Sequence, residues 1–396
     1  MPRPASLLAG VTWICAAVVG CNDDPSRVKP DAPGVADAAP RAEAGARRDG
    51  PGSAFDSRRD GAPPNPGDRG APGNPSGKCA VPAEAQAESV ASPTTVVGDG
   101  TKASCTGAAF VGAVAKGGII TFNCGPDPVT ITLTETAKIF NDKGPKIVID
   151  GGGKVTLSGG GKVRILYQNT CDQAQKWTTS HCNDQDHPLL TVQNLTFVDG
   201  NAKGLDPAGG GAIFARGGRL KVVNCVFRRS VCDDVGPDVG GAAIRALDQS
   251  GDLPLHVVQS TFGGAPGLGG ACSNGGGLSS IGVSYTVLNS LFSHNAAIGN
   301  GANPAKAGTP GGGSGGAIYN DGDTFTLTLC GVQMNDNTAK EGGGAIFFVS
   351  NNGEGQLVIK DSVLENNPSG TFETKGFPGI FAIAKGGPQV INSTIK

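Results

Sequence analysis

The segment "LTVQNLTF" stands at residues 190–197, and six further segments align with it without a gap. The six are LKVVNCVF (220–227), LHVVQSTF (255–262), YTVLNSLF (285–292), LTLCGVQM (327–334), LVIKDSVL (357–364) and PQVINSTI (388–395). Their last residues are 30, 35, 30, 42, 30 and 31 positions apart. A strand-like repeat of about 30 residues is typical of a chain that stacks one structural unit on the next.

Within the aligned segment, each position has its own chemistry. Positions one and three are mostly aliphatic, so strand alternation predicts that both face the interior. Position eight is apolar and is Phe in the first four copies, so we expect it to fill the core as well. Position five is polar in six copies, and Asn tolerates left-handed backbone at a sharp bend. We expect a bend there and a ladder of side-chain amides through Asn194, Asn224, Asn289 and Asn392.

A glycine-led strand precedes most copies of the segment. Its forms are GGGAIF (209–214), GGAAIRA (240–246), GGGLSS (275–280), SGGAIYN (314–320), GGGAIF (342–347) and FPGIFA (377–382). No "GK[ST]" and no helix follows these glycines, so they do not form a phosphate-binding loop. The units are too short for propeller blades, and their strand-like period excludes helical repeats. The sequence therefore predicts an all-β fold, a right-handed parallel β-helix of about 9–10 coils over residues 117–396.

The N-terminal side of the predicted solenoid carries a cap, residues 79–116. In it, CTGAAFVGAVAKG (105–117) predicts a short helix with Phe110, Val111 and Val114 on one face. Gly117 follows where a helix commonly stops.

The pairing of "GGAI" with a downstream "FxxN" resembles the repeats of polymorphic outer membrane proteins. FSHN (292–295) fits that pattern fully, whereas MNDN (334–337) and LENN (364–367) vary its first residue. More widely, the chain resembles the pectin-lyase-like β-helix superfamily over most of its folded part. Enzymes of that superfamily cleave acidic polysaccharides. The resemblance implies lyases with Ca²⁺ on carboxylates and an Arg or Lys base, or hydrolases with several Asp and a GHG stretch, which is absent here.

The N-terminus predicts export. "MPRP" supplies one positive charge, and the apolar run at 5–20 is too short to span a membrane. "VVGC" (18–21) resembles a bacterial lipoprotein signal, which implies a signal peptide at 1–20, acyl chains on Cys21, and an outer membrane location in the cell envelope. The alternative is an ordinary secretory signal. Residues 21–78 are rich in Pro, Gly and Ala, which predicts a disordered tether.

Eleven cysteines occur, of which Cys15 lies in the signal and Cys21 in the anchor. Export permits disulfides among the other nine, and an odd number leaves at least one without an intramolecular partner. We expect Cys105–Cys124 to pin the cap helix and Cys171–Cys182 to close a loop. A local Cys225–Cys232 bond is an alternative.

Two segments outside the repeat carry the candidate site residues. The insert CDQAQKWTTSHCNDQDH (171–187) contains Trp177, His181, Asp184, Asp186 and His187. A closed loop with an exposed Trp suits sugar stacking or contact with a protein partner. Its histidines and carboxylates fit no standard metal spacing, and the loop has a purely structural alternative.

The second segment is the turn CDDVGPD (232–238), in which Asp233, Asp234 and Asp238 are candidates for Ca²⁺ or acid–base chemistry. The alternative is a solvated turn. His256 falls in an outward-facing column, and we interpret it as a surface residue.

A net charge of −2 without a basic stripe argues against nucleic-acid binding. We expect a lipoprotein anchored by Cys21 whose β-helix serves adhesion or binds a glycan or surface protein, without catalysis and without a cofactor. The alternative is a polysaccharide lyase or hydrolase acting on uronate-containing glycans, with Ca²⁺ at the acidic turn.

Overall fold

The computed structural model describes residues 71–176 and 179–396, which fall in one compact unit. The predicted signal peptide, Cys21 and most of the predicted tether lie outside these residues. No helix within the described ranges is both long enough and apolar enough to cross a lipid bilayer.

The described residues form one α-helix, α1 (Gly107–Lys116), and 28 strands. The strands are β1 Thr95–Val97, β2 Ile119–Phe122, β3 Val129–Thr132, β4 Ala137–Ile139, β5 Lys146–Ser158, β6 Leu166–Asn169, β7 Leu189–Val198, β8 Ile213–Arg216, β9 Arg219–Val223, β10 Val226–Arg228, β11 Ile244–Leu247, β12 Leu255–Val258, β13 Thr261–Gly263, β14 Ala271–Cys272, β15 Leu278–Ile281, β16 Tyr285–Leu288, β17 Leu291–Ser293, β18 Ala296–Ala297, β19 Ile318–Gly322, β20 Thr326–Cys330, β21 Gln333–Asn335, β22 Thr338–Ala339, β23 Ile346–Ser350, β24 Gln356–Lys360, β25 Val363–Glu365, β26 Ile380–Ile383, β27 Gln389–Ile391 and β28 Thr394–Ile395.

These strands stack in parallel, which confirms the predicted parallel β-helix. One stack runs β1-β2-β5-β7-β9-β12-β16-β20-β24-β27, giving ten levels in agreement with the predicted 9–10 coils. A second, eight-stranded sheet runs β4-β6-β8-β11-β15-β19-β23-β26 and contains the glycine-led strands. A third, short sheet is β14-β18-β22.

Position five of the repeat is the bend that the sequence predicts. All seven residues there have left-handed backbone, with φ between 45° and 67°: Asn194, Asn224, Gln259, Asn289, Gly331, Asp361 and Asn392. The bend turns each coil from one strand of the large sheet into the next, for instance from β9 into β10. The polar column is therefore a backbone requirement repeated at each level.

The amide ladder at these bends is shorter than predicted. Asn224 Nδ2 donates to Asn194 Oδ1 at 3.2 Å, but Asn289 bonds instead to the backbone of Cys79. A longer ladder of buried amides stands at the end of the FxxN segments. There, Asn295 Nδ2 donates to Asn337 Oδ1 at 2.8 Å, and Asn337 Nδ2 donates to Asn367 Oδ1 at 2.9 Å.

The core consists of like residues stacked level upon level. Position eight places Phe197, Phe227, Phe262 and Phe292 face to face, with ring centroids 4.9, 4.7 and 4.5 Å apart. Contact between aromatic rings adds to the free energy gained by burial. Helix α1 closes one end of this core. The Thr106 side chain caps its first turn, Gly117 follows at φ 73°, and Phe110 and Val114 are buried.

An extended segment, residues 71–93, lies on the outer face of the large sheet; we call it the strap. Its first residues belong to the segment interpreted as tether, yet Asn74 N donates to Asn289 O at 2.9 Å. Further along, Glu88 and Gln193 exchange two hydrogen bonds, of 2.8 and 3.0 Å. Between these points the strap covers an apolar cluster formed by Ala85, Val223, Val258 and Leu288.

The described chain contains four disulfides. Cys105–Cys124 and Cys171–Cys182 form as predicted. Two more were not predicted: Cys79–Cys330, which ties the strap to β20 across 251 residues, and Cys232–Cys272.

The alternative Cys225–Cys232 bond is therefore wrong. Stacking brings Cys232 next to Cys272 of the following coil, because Val231 and Ala271 pair between coils. Cys225 instead points into the core and is unpaired, and its burial raises the pKa of the thiol to about 12.

Candidate functional site

The disulfide-closed loop departs from the coil after β6 and returns before β7. The Cys171–Cys182 bond joins its two ends, with Cα atoms 4.9 Å apart. Thr170 Oγ1 fixes the returning end by donating to Cys182 O at 2.5 Å. Gln175 within the loop is buried, and its backbone oxygen accepts a hydrogen bond from Asn141 N at 2.8 Å, so the insert packs against the solenoid. Trp177 lies outside the described residues.

The structure does not bring the loop's candidate histidines and carboxylates together in a metal site. His187 Nδ1 contacts Asp186 Oδ1, whereas Asp184 turns away and accepts a hydrogen bond from Gly251 N at 2.8 Å. His181 is exposed. Across the described ranges, no three ligand atoms from these four side chains lie within 4.8 Å of one another.

Asp184 instead forms part of a pocket with residues of two neighbouring coils. The pocket has a volume of about 300 Å³. Its lining comes from the insert, from the turn after β11 and from the turn after β15: Asn183, Asp184, Asp248, Gln249, Gly251, Asp252, Leu253, Gly282, Val283 and Ser284. We call this the loop pocket.

Local backbone chemistry explains why the turn after β11 presents its carboxylates. Asp248 and Asp252 both have left-handed backbone, with φ of 51° and 53°, a conformation that Asp tolerates better than most residues. Gln249, between them, is buried and accepts a hydrogen bond from Leu220 N at 2.8 Å. Gln249 therefore anchors the turn to the core, and the carboxylates of Asp248 and Asp252 flank it in the sequence.

The pocket is negatively charged. Three carboxylates line it, and the nearby cation is Arg216, whose Nε lies 3.4 Å from Asp248 Oδ2. Burial raises the pKa of Asp248, and the charge of Asp252 raises it further, while Arg216 opposes both. Arg216 Nε also donates to Asn183 Oδ1 at 2.9 Å, so its charge is shared between the insert and the turn.

Chemically, the loop pocket is a set of hydrogen-bond acceptors beside an apolar surface. Carboxylate and amide oxygens accept from sugar hydroxyls and from ammonium groups. Leu253 is 50% exposed at the same place and offers a surface for the C–H face of a sugar ring. A ligand with its own carboxylates would be repelled.

The acidic turn at 232–238 does not form one site. Asp233 Oδ1 accepts from Gly204 N at 2.8 Å, and Asp234 Oδ1 pairs with Lys203 Nζ at 2.6 Å. Asp238 faces another loop, where its Oδ1 accepts from Asn303 Nδ2 at 3.1 Å. The three carboxylates thus have separate partners, as in a solvated turn.

Sequence reasoning missed two buried arginines beside the glycine-led strands. Arg245 stands in register with Phe214 and Ser279 on an outward-facing column, yet it is only 7% exposed. Arg164 lies over the rings of Tyr167 and Phe214, at 5.4 and 5.0 Å, and burial lowers its pKa to about 10. A signal was present for Arg245: GGAAIR has Arg where GGGAIF has Phe.

His256 is the other correction, since it is not a surface residue. It does face outward from β12, but the strap covers it and leaves the residue 6% exposed. The pKa of His256 is lowered by burial and then by the neighbouring Arg219. The strap could not be placed from the sequence, so neither could this burial.

Searches against protein-family models, curated proteins and solved structures find no match to this chain.

Proposed function

We propose that this chain is a surface lipoprotein whose β-helix is a non-catalytic binding module, with the loop pocket as its glycan site. The observation that supports this most is the composition of that pocket. Three carboxylates and an exposed Leu253 surround about 300 Å³. The ligand class that fits is a neutral or amino-bearing glycan, because hydroxyl and ammonium groups donate to carboxylates.

The proposal extends to the family and the location. The GGAI and FxxN repeats support membership of the pectin-lyase-like β-helix superfamily with repeats of the polymorphic outer membrane type. The VVGC stretch supports acylation of Cys21 and attachment to the outer membrane, and the low-complexity stretch that follows Cys21 would hold the module away from the surface.

The ligand class is tested by titrating the full chain with three oligosaccharides, one amino-bearing, one neutral and one uronate-containing. We expect saturable binding of the first two, with the amino-bearing one tighter. Asp248→Asn should weaken the binding of the amino-bearing sugar about tenfold, since the amide still accepts a hydrogen bond but no longer attracts the ammonium group by charge.

Asp127→Asn is the matched control, because Asp127 is an exposed carboxylate in a turn at the capped end of the solenoid. It should leave both affinities unchanged. Uronate binding that Asp248→Asn changes, or no effect of Asp248→Asn on the amino-bearing sugar, would reject this ligand class.

Catalysis is tested in the same material. Polyuronates are incubated with the full chain, with and without Ca²⁺, and unsaturated and reducing ends are assayed. No release is expected, and calcium-dependent release of unsaturated ends would establish the lyase alternative instead.

The anchor is tested by Cys21→Ser, expressed in a bacterium with lipoprotein processing. The variant should move from the membrane fraction to the soluble fraction, because no acyl chains can be attached. Unchanged membrane retention would disprove lipidation at Cys21.

A further inference from the structure

A second cavity lies between the strap and the outer face of the large sheet. Its volume is about 270 Å³. Strap residues Glu84 and Glu88 form one side, and Arg219, Lys221 and His256 form the other. Residues 219 and 221 lie on the same face of β9, and His256 is the in-register neighbour of Lys221 on β12. Basic side chains from neighbouring coils therefore face one partly open space.

The two lysines of this region already have anionic partners. Glu88 Oε1 pairs with Lys221 Nζ at 2.6 Å, and Glu88 Oε2 pairs with Lys146 Nζ at 2.7 Å. Lys221 Nζ also reaches the backbone oxygen of Glu84 at 3.2 Å. These contacts hold the strap in place and satisfy the charge of Glu88.

Arg219 has no such partner. Its Nη2 donates to Pro254 O at 3.2 Å, and its Nε is buried without a hydrogen-bond partner among the described residues. Among the residues that the structure describes, no carboxylate forms a salt bridge with Arg219. A half-buried guanidinium with an unfilled donor is unfavourable unless an acceptor reaches it.

His256 supplies an independent sign of a ligand. The residue is more than nine-tenths buried, it lines the cavity, and its ring makes no hydrogen bond to any described residue. The charged groups that face the ring are Arg219 and Lys221 on the neighbouring strand and Glu84 on the strap. The glutamate is exposed, at the edge of the cavity.

We propose that this cavity is a second binding site, separate from the loop pocket, for a small oxyanion group held by Arg219 and His256. The guanidinium supplies a positive charge and its terminal N–H donors, which suit a carboxylate, sulfate or phosphate oxygen. The imidazole donates a further hydrogen bond, and it gains a second donor when protonated. Anion binding therefore strengthens as the pH falls.

The test uses the full chain with three separate probes: inorganic sulfate, inorganic phosphate and glucuronate. The His256 imidazole resonance is followed by NMR, which is practical because the chain has four histidines. Saturable binding of at least one probe is expected. Comparing the affinities of the three probes shows whether the site prefers a sugar carboxylate or an inorganic anion. If none of the three binds saturably, the proposal is overturned.

Variants connect the binding to the named side chains. Arg219→Gln should weaken binding by about tenfold or more, the loss of one charge-assisted hydrogen bond. Arg228→Gln is the matched control, since Arg228 lies in the same coil, half-buried, away from the cavity, and should change nothing. Equal effects of the two variants would overturn the assignment of Arg219.

Two further variants test the charge of Glu84 and the protonation of His256. Glu84→Gln should tighten anion binding, because it removes a like charge from the edge of the cavity. His256→Gln keeps a donor but cannot be protonated, so it should retain binding at neutral pH and lose the strengthening at lower pH. An unchanged pH dependence in His256→Gln would overturn the role of the imidazole.

Discussion

Replacing Cys79 and Cys330 together by alanine removes the disulfide that joins the strap to β20. We expect a large loss of stability, because this disulfide closes a loop of 251 residues. Three shorter disulfides lie inside that loop and already restrict the unfolded chain. With that restriction included, loop entropy assigns about 5 kcal/mol to the Cys79–Cys330 bond, as an upper estimate.

The matched control is the double alanine variant of Cys171 and Cys182. That bond closes a loop of 11 residues, for which the same relation gives about 3 kcal/mol. Both variants are unfolded in urea without reductant, next to the unmodified chain. The larger loss should belong to the Cys79–Cys330 variant. Its free energy of unfolding should also depend more steeply on urea concentration, because its less restricted unfolded chain exposes more surface.

Hydrogen exchange locates the effect. In the Cys79–Cys330 variant, the amide of residue 79, which donates to Asn289 Oδ1 at 2.9 Å, should lose protection. The amide of Glu88 should lose less, because its side chain remains tied to Lys146 and Lys221. If the two double variants lose equal stability, or if hydrogen exchange along the strap is unchanged, the Cys79–Cys330 bond does not have the stabilising role assigned to it.

Three further predictions concern the stack and its pH dependence. Phe262→Ala should destabilise the chain by about 3–5 kcal/mol in urea unfolding, because the ring is fully buried between two others, and Phe262→Leu should cost less; equal costs would contradict the stack. Gln259→Val should lower the free energy of unfolding by about 1–2 kcal/mol, since residue 259 has a left-handed backbone with φ 45°, whereas Gln259→Asn should leave it unchanged. If Gln259→Val has no effect, the bend at this position does not require its left-handed backbone. The pKa of His256 is lowered in the folded chain, so the unfolded state binds the proton more tightly, and stability should fall as the pH drops below 6.5; if His256→Gln keeps that dependence, another group is responsible.

The repeated part of the chain could be predicted because each copy meets the same environment. Positions one, three and eight are buried in the first six copies, so the apolar pattern recurs often enough to be recognised. The bend at position five was found the same way, because few residues accept its backbone geometry. The Cys105–Cys124 and Cys171–Cys182 disulfides could also be predicted, since each bond closes a short segment.

The remaining features depend on which coils come to lie beside each other. Cys232 pairs with Cys272 because consecutive coils stack, although Cys225 is nearer in sequence. The strap carries no repeat and few apolar residues, so its position could not be predicted from the sequence. For the same reason, neither the Cys79–Cys330 bond nor the burial of His256 could be predicted. The loop pocket draws Asp184, Asp248 and Asp252 from separate segments, and only the first was a candidate.

The same separation explains the acidic turn. Asp233 and Asp238 are close in sequence, but the turn directs them to different loops. Sequence spacing is a poor guide to side-chain convergence in a solenoid, where the next coil is a nearer neighbour than the next few residues.

The most direct test of the binding function is a crystal structure of the full chain soaked with an amino-bearing oligosaccharide. The account predicts density for a sugar ring in the loop pocket, with its amino or hydroxyl groups within hydrogen-bond distance of Asp184, Asp248 or Asp252. Density for the sugar elsewhere on the solenoid, with the loop pocket empty at saturating ligand, would contradict it.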